Sequence, residues 1–472
     1  MEKAGPHKIV AAFDIVTPMF IAGADNGPDA EPKLRVSGII GALRFWWRAL
    51  AWSRVEALPP EAGLTVLLAW ESALFGSAEN GQGAFLLRLS LPDNTLKSTR
   101  TQRQPQANAP LGGYPRISPR EERHWADSGS GLAYLAGQGL TRNVKIRRES
   151  GRDFNQFVDA RRAILPDQRF ELVLIPKPYR VPSESGTLVR WRRIDKPVLP
   201  LFGPGAAGEP PTLLDALQAF GMMGGLGSRS RRGYGSVALR DIGAEGEDEP
   251  LWSSPTSPKS LKAQVDALLN RFRGAARPPY SGIGPDAMAA FRADPIKSRA
   301  ELKGAVQRLH NRVGHEFQRY RAWGFRGYVG GENALRLFGD DHSWFKAISA
   351  EGARRPKDVG WREYGPERAV LGLPHNYQSN DGTIVKVEPA KGQNSQVGDR
   401  RASPLFLHLH SFPNAAPCAI WLLLPSEFLP GREGLSITAQ RRRERGQETW
   451  KVGNWRPDYS VASDFFRPVR KT

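Results

Sequence analysis

The stretch GGLGSRSRRGYGS, residues 224–236, constrains this chain more than any other. Leu213, Leu214, Leu217 and Phe220 lead into it at helical spacing, and an apolar run over residues 236–242 leads out of it. The segment must therefore turn a helix directly into a strand. Its five glycines permit positive φ and allow several backbone N–H groups to converge on one anion. Arg229, Arg231 and Arg232 add forked donors suited to phosphate, and Tyr234 adds a ring that can stack on a base. A nucleotide phosphate loop is excluded. That motif runs strand, loop, helix and closes on Gly-Lys-Ser/Thr, whereas here the order is reversed and no lysine follows the glycines. A plain turn with solvated arginines is the competing reading of the same residues.

Charge along the rest of the chain favours the anion. Lys and Arg number 67 against 48 Asp and Glu, a formal net charge of +19, and such a surplus calls for a polyanionic partner, nucleic acid first. A length of 472 residues exceeds what one core organises, so two or three domains are expected. The 49 glycines and 38 prolines imply many turns and argue against a helical bundle. Cys418 is the only cysteine, which rules out an internal disulfide framework and a Cys-based zinc site and fits a reducing cytoplasm. No secretory signal is evident at the start, and no apolar run reaches the roughly 18 residues of a membrane span.

Element signals then follow in order. Residues 9–17 read as a strand, 37–50 and 64–75 as helices, 84–91 and 170–175 as strands, 213–223 as a helix and 236–242 as a strand. The order makes a βαββαβ unit with long insertions, one of them the basic, Pro- and Gly-punctuated stretch 97–125. Residues 244–260, acidic and then rich in Pro and Ser, are expected to be a linker. That gives a first domain over 1–243 and a second α+β domain over 261–472. The second carries a helix at 261–272, a less clear one near 300–317, and strands at 405–410 and 419–424.

The segment SGIIGALRFWWR, residues 37–48, is the second constellation. Ser37 is expected to cap a helix whose N-terminus, opened by Ser37 and Gly38, presents free N–H groups to a phosphate. Gly41 permits close approach one turn on, while Arg44 and Arg48, four apart, continue a positive stripe. Trp46 and Trp47 at this spacing read as core.

Together, the opening strand, the Ser-Gly-x-x-Gly-x-x-Arg helix and the late Gly-Gly-x-x-Ser-x-x-Gly-Tyr-Gly loop resemble the RAMP superfamily of CRISPR-associated proteins. In detail the chain looks like the first-subunit family of the type III-B Cmr module. The matching patches are Thr17 to Phe20 with Gly23, Ala24 and Asp25; LRVSGIIGALRFWWRA; Leu74 to Ser77; GGLGSRSRRGYGS; LGLPH; and RRASPLFLHL. The resemblance implies tandem ferredoxin-like domains and a non-catalytic, cytoplasmic subunit without cofactor. Such a subunit sits in a hetero-oligomeric Cmr ribonucleoprotein and binds guide RNA near its 3′ end, with target RNA and other Cmr subunits as partners. Carried over by position, it puts phosphate contact at Ser37, Gly38, Arg44, Arg48, Gly225, Gly227, Ser228, Arg229, Arg231, Arg232, Gly233 and Tyr234. It assigns neither catalytic nor metal-binding residues.

An RNA-processing endoribonuclease of the same superfamily is the alternative. It would need His375, in a loop, or Asp25, as a metal-assisting carboxylate. His408 and His410 alternate on a strand and face one side, as two metal ligands do, but a third ligand nearby is missing and ordinary part-buried histidines are the simpler reading. The arginine run 440–445 with Lys451, Arg456, Trp450 and Trp455 has the interleaved basic and aromatic character of a single-strand binder. A tail or protein-docking surface reads equally well.

Overall fold

The structure is a computed structural model. It describes residues 8–22, 27, 30–91, 95–99, 113–114, 130–137, 139–147, 153–183, 190–194, 209–296, 298–321, 328–329, 332–333, 339–348, 363–378, 382–390, 400–429, 434–440 and 447–467. The chain divides into two compact units. The first takes Met1–Ala276, Gly282–Gly314 and Phe406–Leu422, and the second Arg277–Ser281, His315–Leu405 and Leu423–Thr472.

The first unit opens with β1 (Ile9–Ile15), followed by α1 (Val36–Ala51), α2 (Pro60–Phe75), β2 (Phe85–Ser90) and β3 (Gln168–Pro176). Next come α3 (Leu213–Met223), β4 (Val237–Ala244), the short β5 (Trp252–Ser253) and α4 (Pro258–Arg271). The strands form one antiparallel sheet in the order β5-β4-β1-β3-β2. With α2 and β5 set aside, the chain runs β-α-β-β-α-β, its four strands lying fourth, first, third, second across the sheet. The insertions carry short hairpins, Thr141–Arg147 with Asp153–Asp159 and Tyr179–Ser183 with Arg190–Ile194.

Register explains the core. Phe13 of β1 lies opposite Phe170 of β3 and Leu239 of β4, and a register irregularity falls between Ala12 and Phe13. Phe13 stacks on Phe170 at 5.2 Å and meets Phe220 of α3 at 5.4 Å, all three fully buried. Helix α1 buries Ile39, Leu43, Trp46, Trp47 and Leu50, a stripe at three- and four-residue spacing. The indole of Trp47 donates to the carbonyl of Pro211 at 2.7 Å, which satisfies its one polar atom inside the core.

Residues 244–260 lie within the first unit, contrary to the linker expected from their composition. Ala244 ends β4, Trp252 pairs with Ile242, and Ser257 forms a reciprocal capping box with Ser260 at the start of α4. The polar residues that resemble a linker are there capping a helix. Nor does the first unit end at residue 243, since the chain re-enters it at Gly282 and again at Phe406.

A three-stranded sheet, in the order β6 (Met288–Ala293), β10 (Cys418–Leu423), β9 (Leu405–His410), lies largely in the first unit. Every residue of β9 and β10 is buried. Between β6 and β9 the chain forms α5 (Ala305–Arg321), which belongs to the first unit as far as Gly314.

In the second unit, β7 (His375–Gln378), β8 (Ile384–Pro389), β11 (Leu435–Gln440) and β12 (Gln447–Val452) make an antiparallel sheet in the order β7-β8-β11-β12. Sequence periodicity does not reveal this sheet. A buried ion pair, Arg368 to Asp341 at 2.9 Å, anchors it, with the Tyr377 hydroxyl donating to the same carboxylate.

Candidate functional site

The start of α1 departs from the expected cap. Arg35 is the extended residue before the helix, at φ −131° and ψ 142°, with no capping side chain, and no acid lies in the first turn. Ser37 stands inside that turn, exposed beside exposed Gly38. Among the described residues the first N–H groups of the helix and the positive end of its dipole therefore have no capping side chain. A Cβ added to Gly38 or to Gly41 would meet nothing within 4 Å.

The loop after α3 is built differently. Gly227, Gly233 and Gly235 have φ of +84°, +82° and +63°, and Arg229, though not glycine, has +62°. A Cβ on Gly235 would lie 2.0 Å from the carbonyl of Leu226, on Gly227 2.4 Å from that of Phe20, and on Gly224 2.5 Å from the Trp46 indole nitrogen. On Gly225 it would lie 2.9 Å from the carbonyl of Gly235, and on Gly233 2.6 Å from a methyl of Leu409. All five glycines thus make room for protein atoms, which corrects the reading that they make room for a ligand. Backbone bonds knot the loop onto the chain after β1: the N–H of Ser228 donates to Phe20, that of Gly235 to Pro18, and that of Leu226 to Gly235.

Two histidines hold the loop from within. His408 of β9 donates from Nδ1 to the carbonyl of Gly224 at 2.8 Å, and His310 of α5 donates from Nε2 to the carbonyl of Arg232 at 2.9 Å. These bonds fix the tautomers, so His408 Nε2 accepts from His410 Nδ1 at 3.3 Å and His310 Nδ1 accepts from the Tyr114 hydroxyl at 3.3 Å. Burial pushes His310 and His408 down to about 4, and burial beside His408 and Arg240 holds His410 well below the usual histidine range. All three are neutral near pH 7. His310 is invisible to sequence reasoning, since nothing near it in the chain marks it.

Exposure sorts the loop's own residues. Gly227, Ser228 and Arg229 are exposed, Gly225, Arg231 and Arg232 half-buried, and Gly233 and Tyr234 buried. Tyr234 does not stack on a base. It has no exposed surface, its ring meets His310 at 4.7 Å and Phe20 at 5.5 Å, and its hydroxyl donates to the Leu132 carbonyl at 2.9 Å. Arg231 lies over the ring of Phe406 at 4.4 Å and over that of Phe45 at 5.7 Å. Phe45 sits off the buried stripe of α1, a signal that periodicity alone could have read as an aromatic held for another surface.

Arg44 and Arg48 are engaged elsewhere. Arg44 bonds Glu71 of α2 at 3.0 Å and the carbonyl of Phe75 at 3.1 Å, and Arg48 reaches the other oxygen of Glu71 at 3.4 Å. With Glu71 only 4% exposed, these arginines neutralise a buried carboxylate and fasten α1 to α2.

A cleft of about 280 Å³ joins the two regions. Gly38, Ala42, Phe45 and Trp46 of α1 form one wall, and Gly224, Gly225, Gly227 and Arg231 of the loop form another, with Phe406 between. Of the expected contact residues it gathers Gly38, Gly225, Gly227 and Arg231, while Gly233 and Tyr234 support the loop from inside.

A family model described as the RAMP superfamily matches residues 12–238. This part of the chain is similar to the RAMP superfamily. The RAMP region covers just under half of the chain and contains both walls of the cleft except Phe406. No curated protein matches the sequence. Among solved structures the chain is similar to Cmr1 from Pyrococcus furiosus in its apo form, at 15% identity, covering 97% of this chain and 96% of that one, with a TM-score of 0.42. It is also similar to a chain of the type III-B Cmr-beta complex bound to cognate target RNA, at 12% identity, 89% and 94% coverage and a TM-score of 0.40.

The remaining candidates lie outside the RAMP region or the described residues. Asp25, residues 441–446 and most of 97–125 are not among the described residues. His375 opens strand β7 instead of standing in a loop, stacked on Tyr377 at 4.6 Å, and burial with Arg321 and Arg368 holds it well below the usual histidine range. Trp455 is buried against Phe428 at 5.8 Å. Among the described residues no group of three or more His, Cys, Asp or Glu is placed to hold a metal, and no helix is long and apolar enough to cross a membrane.

Proposed function

We propose that this chain is a non-catalytic RNA-binding subunit of a type III-B CRISPR effector ribonucleoprotein. It holds guide RNA near its 3′ end and helps admit target RNA beside the other Cmr subunits in the cytoplasm. The observation that carries the reading is the cleft in which the uncapped α1 terminus at Gly38 meets Gly225, Gly227 and Arg231 of the glycine-arginine loop. Open N–H groups, exposed Arg229 and a chain-wide charge of +19 suit a phosphate backbone. The RAMP match and the motif resemblance supply the setting. The buried, neutral His310, His408 and His410 brace the loop, a role that favours binding over acid-base chemistry.

We read the fourth-first-third-second strand order of the first sheet as ferredoxin-like. The first-third-second order of β6, β10 and β9, with α5 after the first strand, supports a tandem second copy.

The test is binding of the full chain to single-stranded RNA across a salt series. Arg229→Ala should weaken binding and flatten the salt slope by about 0.7, whereas Arg44→Ala should leave the slope unchanged. Unchanged affinity on loss of Arg229 and Arg231 together would remove the site. RNA recovered with the tagged chain should be uniform, short and share a repeat-derived end. A random spread would remove the CRISPR setting.

A further inference from the structure

Resting on the reading that this cleft binds RNA, we infer that it receives one unstacked nucleobase of the bound strand, with the phosphates running outside it over the first turn of α1 and Arg229. The lining decides between base and phosphate. Half-buried Phe45 supplies the accessible aromatic face, the buried Trp46, Phe406, Met223 and Leu226 back it with apolar atoms, and Arg231 is the single charged residue among the described residues there. A phosphate drawn inside would shed its water against rings and meet one guanidinium, whereas a base sheds little and gains stacking area.

Arg231 already shows the geometry. Its guanidinium lies 4.4 Å from the Phe406 ring centre and 5.7 Å from that of Phe45, so planar π-faces and a planar cation meet across the cleft. Size fits as well. About 280 Å³ holds a single heterocycle and excludes a base pair or a folded peptide segment. The lips are glycine backbone at Gly38, Gly225 and Gly227, and among the described residues no Asp or Glu lines the space to repel a polyanion. The carbonyl of Gly224, a lining residue, already accepts from His408, so stacking dominates over hydrogen-bond readout and the pocket accepts any base.

The experiment uses the full chain and a single-stranded oligonucleotide scanned with one abasic nucleotide at a time. Phe45→Leu should weaken binding about tenfold with the salt slope unchanged, because stacking is lost and no phosphate contact is. One abasic register should weaken the parent protein by a similar factor and add nothing further in Phe45→Leu. Ala42→Leu, which fills the cleft while keeping its rings, should reproduce the loss, and it decides the matter if Phe45→Leu fails to fold. A parent protein that binds RNA but is indifferent to both variants and to every abasic position overturns this inference and leaves the RNA-binding reading standing. A parent protein that does not bind RNA overturns both. Loss of a co-purifying protein with RNA affinity intact would make the cleft a protein contact and overturn the inference too.

Discussion

The glycines of α1 and those of the loop after α3 have opposite purposes. Added methyl groups on Gly38 and Gly41 would enter open space, whereas on Gly224, Gly225, Gly227, Gly233 and Gly235 they would strike protein atoms within 3 Å. In the first region glycine keeps backbone accessible; in the second it lets backbone pack on backbone. The arginines invert in the same way. Arg44 and Arg48 of the accessible helix are committed to Glu71, while exposed Arg229 and half-buried Arg231 belong to the tightly packed loop. A cleft needs both kinds of wall: one that is open and one that is held.

The largest effect that tests this contrast is acidification. His310 and His408 brace the loop and not α1, and both are held near 4 in the folded protein against about 6.5 when unfolded. Between those values the unfolded chain takes up protons that the folded chain refuses. The contribution of these two histidines is therefore full above about pH 6.5, is lost as pH drops from 6.5 to 4, and changes no further below, by on the order of 3 kcal/mol for each. Denaturant midpoints measured across this range should show that slope, and a His310→Asn, His408→Asn double variant should lessen it, leaving the part that His315, His375 and His410 supply.

Next comes the glycine pair. Gly235→Ala should cost about 3 kcal/mol, from a left-handed residue and a backbone clash together. Gly41→Ala, in an open helix interior, should instead stabilise by about 1 kcal/mol. Equal effects on thermal unfolding would dissolve the distinction between the two regions. The smallest test is Arg44→Ala, which should cost about 1–2 kcal/mol because Arg48 still reaches Glu71. RNA affinity of the folded protein should hardly move. A clear loss of affinity would return Arg44 to the binding surface.

Much of the first unit is legible in the residue order. Spaced apolar residues mark α1 and α3, and β-branched runs mark β1, β3 and β4 to within a few positions, because burying one face imposes a period on the sequence. The cap of α1 lies two residues before Ser37, which is a good capping residue by type, because the chain enters the helix at Val36 without using it. Residues 244–260 look like a linker because the Ser and Pro that start α4 share a composition with loops. Strands β7, β8, β11 and β12 are short and variably buried, so their period-two signal is weak.

Residue order alone is enough to make this chain a basic α+β protein with a RAMP helix and a glycine-arginine loop, since charge, periodicity and glycine spacing are properties of residues in order. Folding settles the rest: Tyr234 faces inward, Glu71 claims Arg44 and Arg48, His310 and His408 brace the loop, and Phe45, Arg231 and Phe406 share one cleft. Each of those depends on groups brought together from distant parts of the chain, and residue order carries no measure of which face of an element will find which partner.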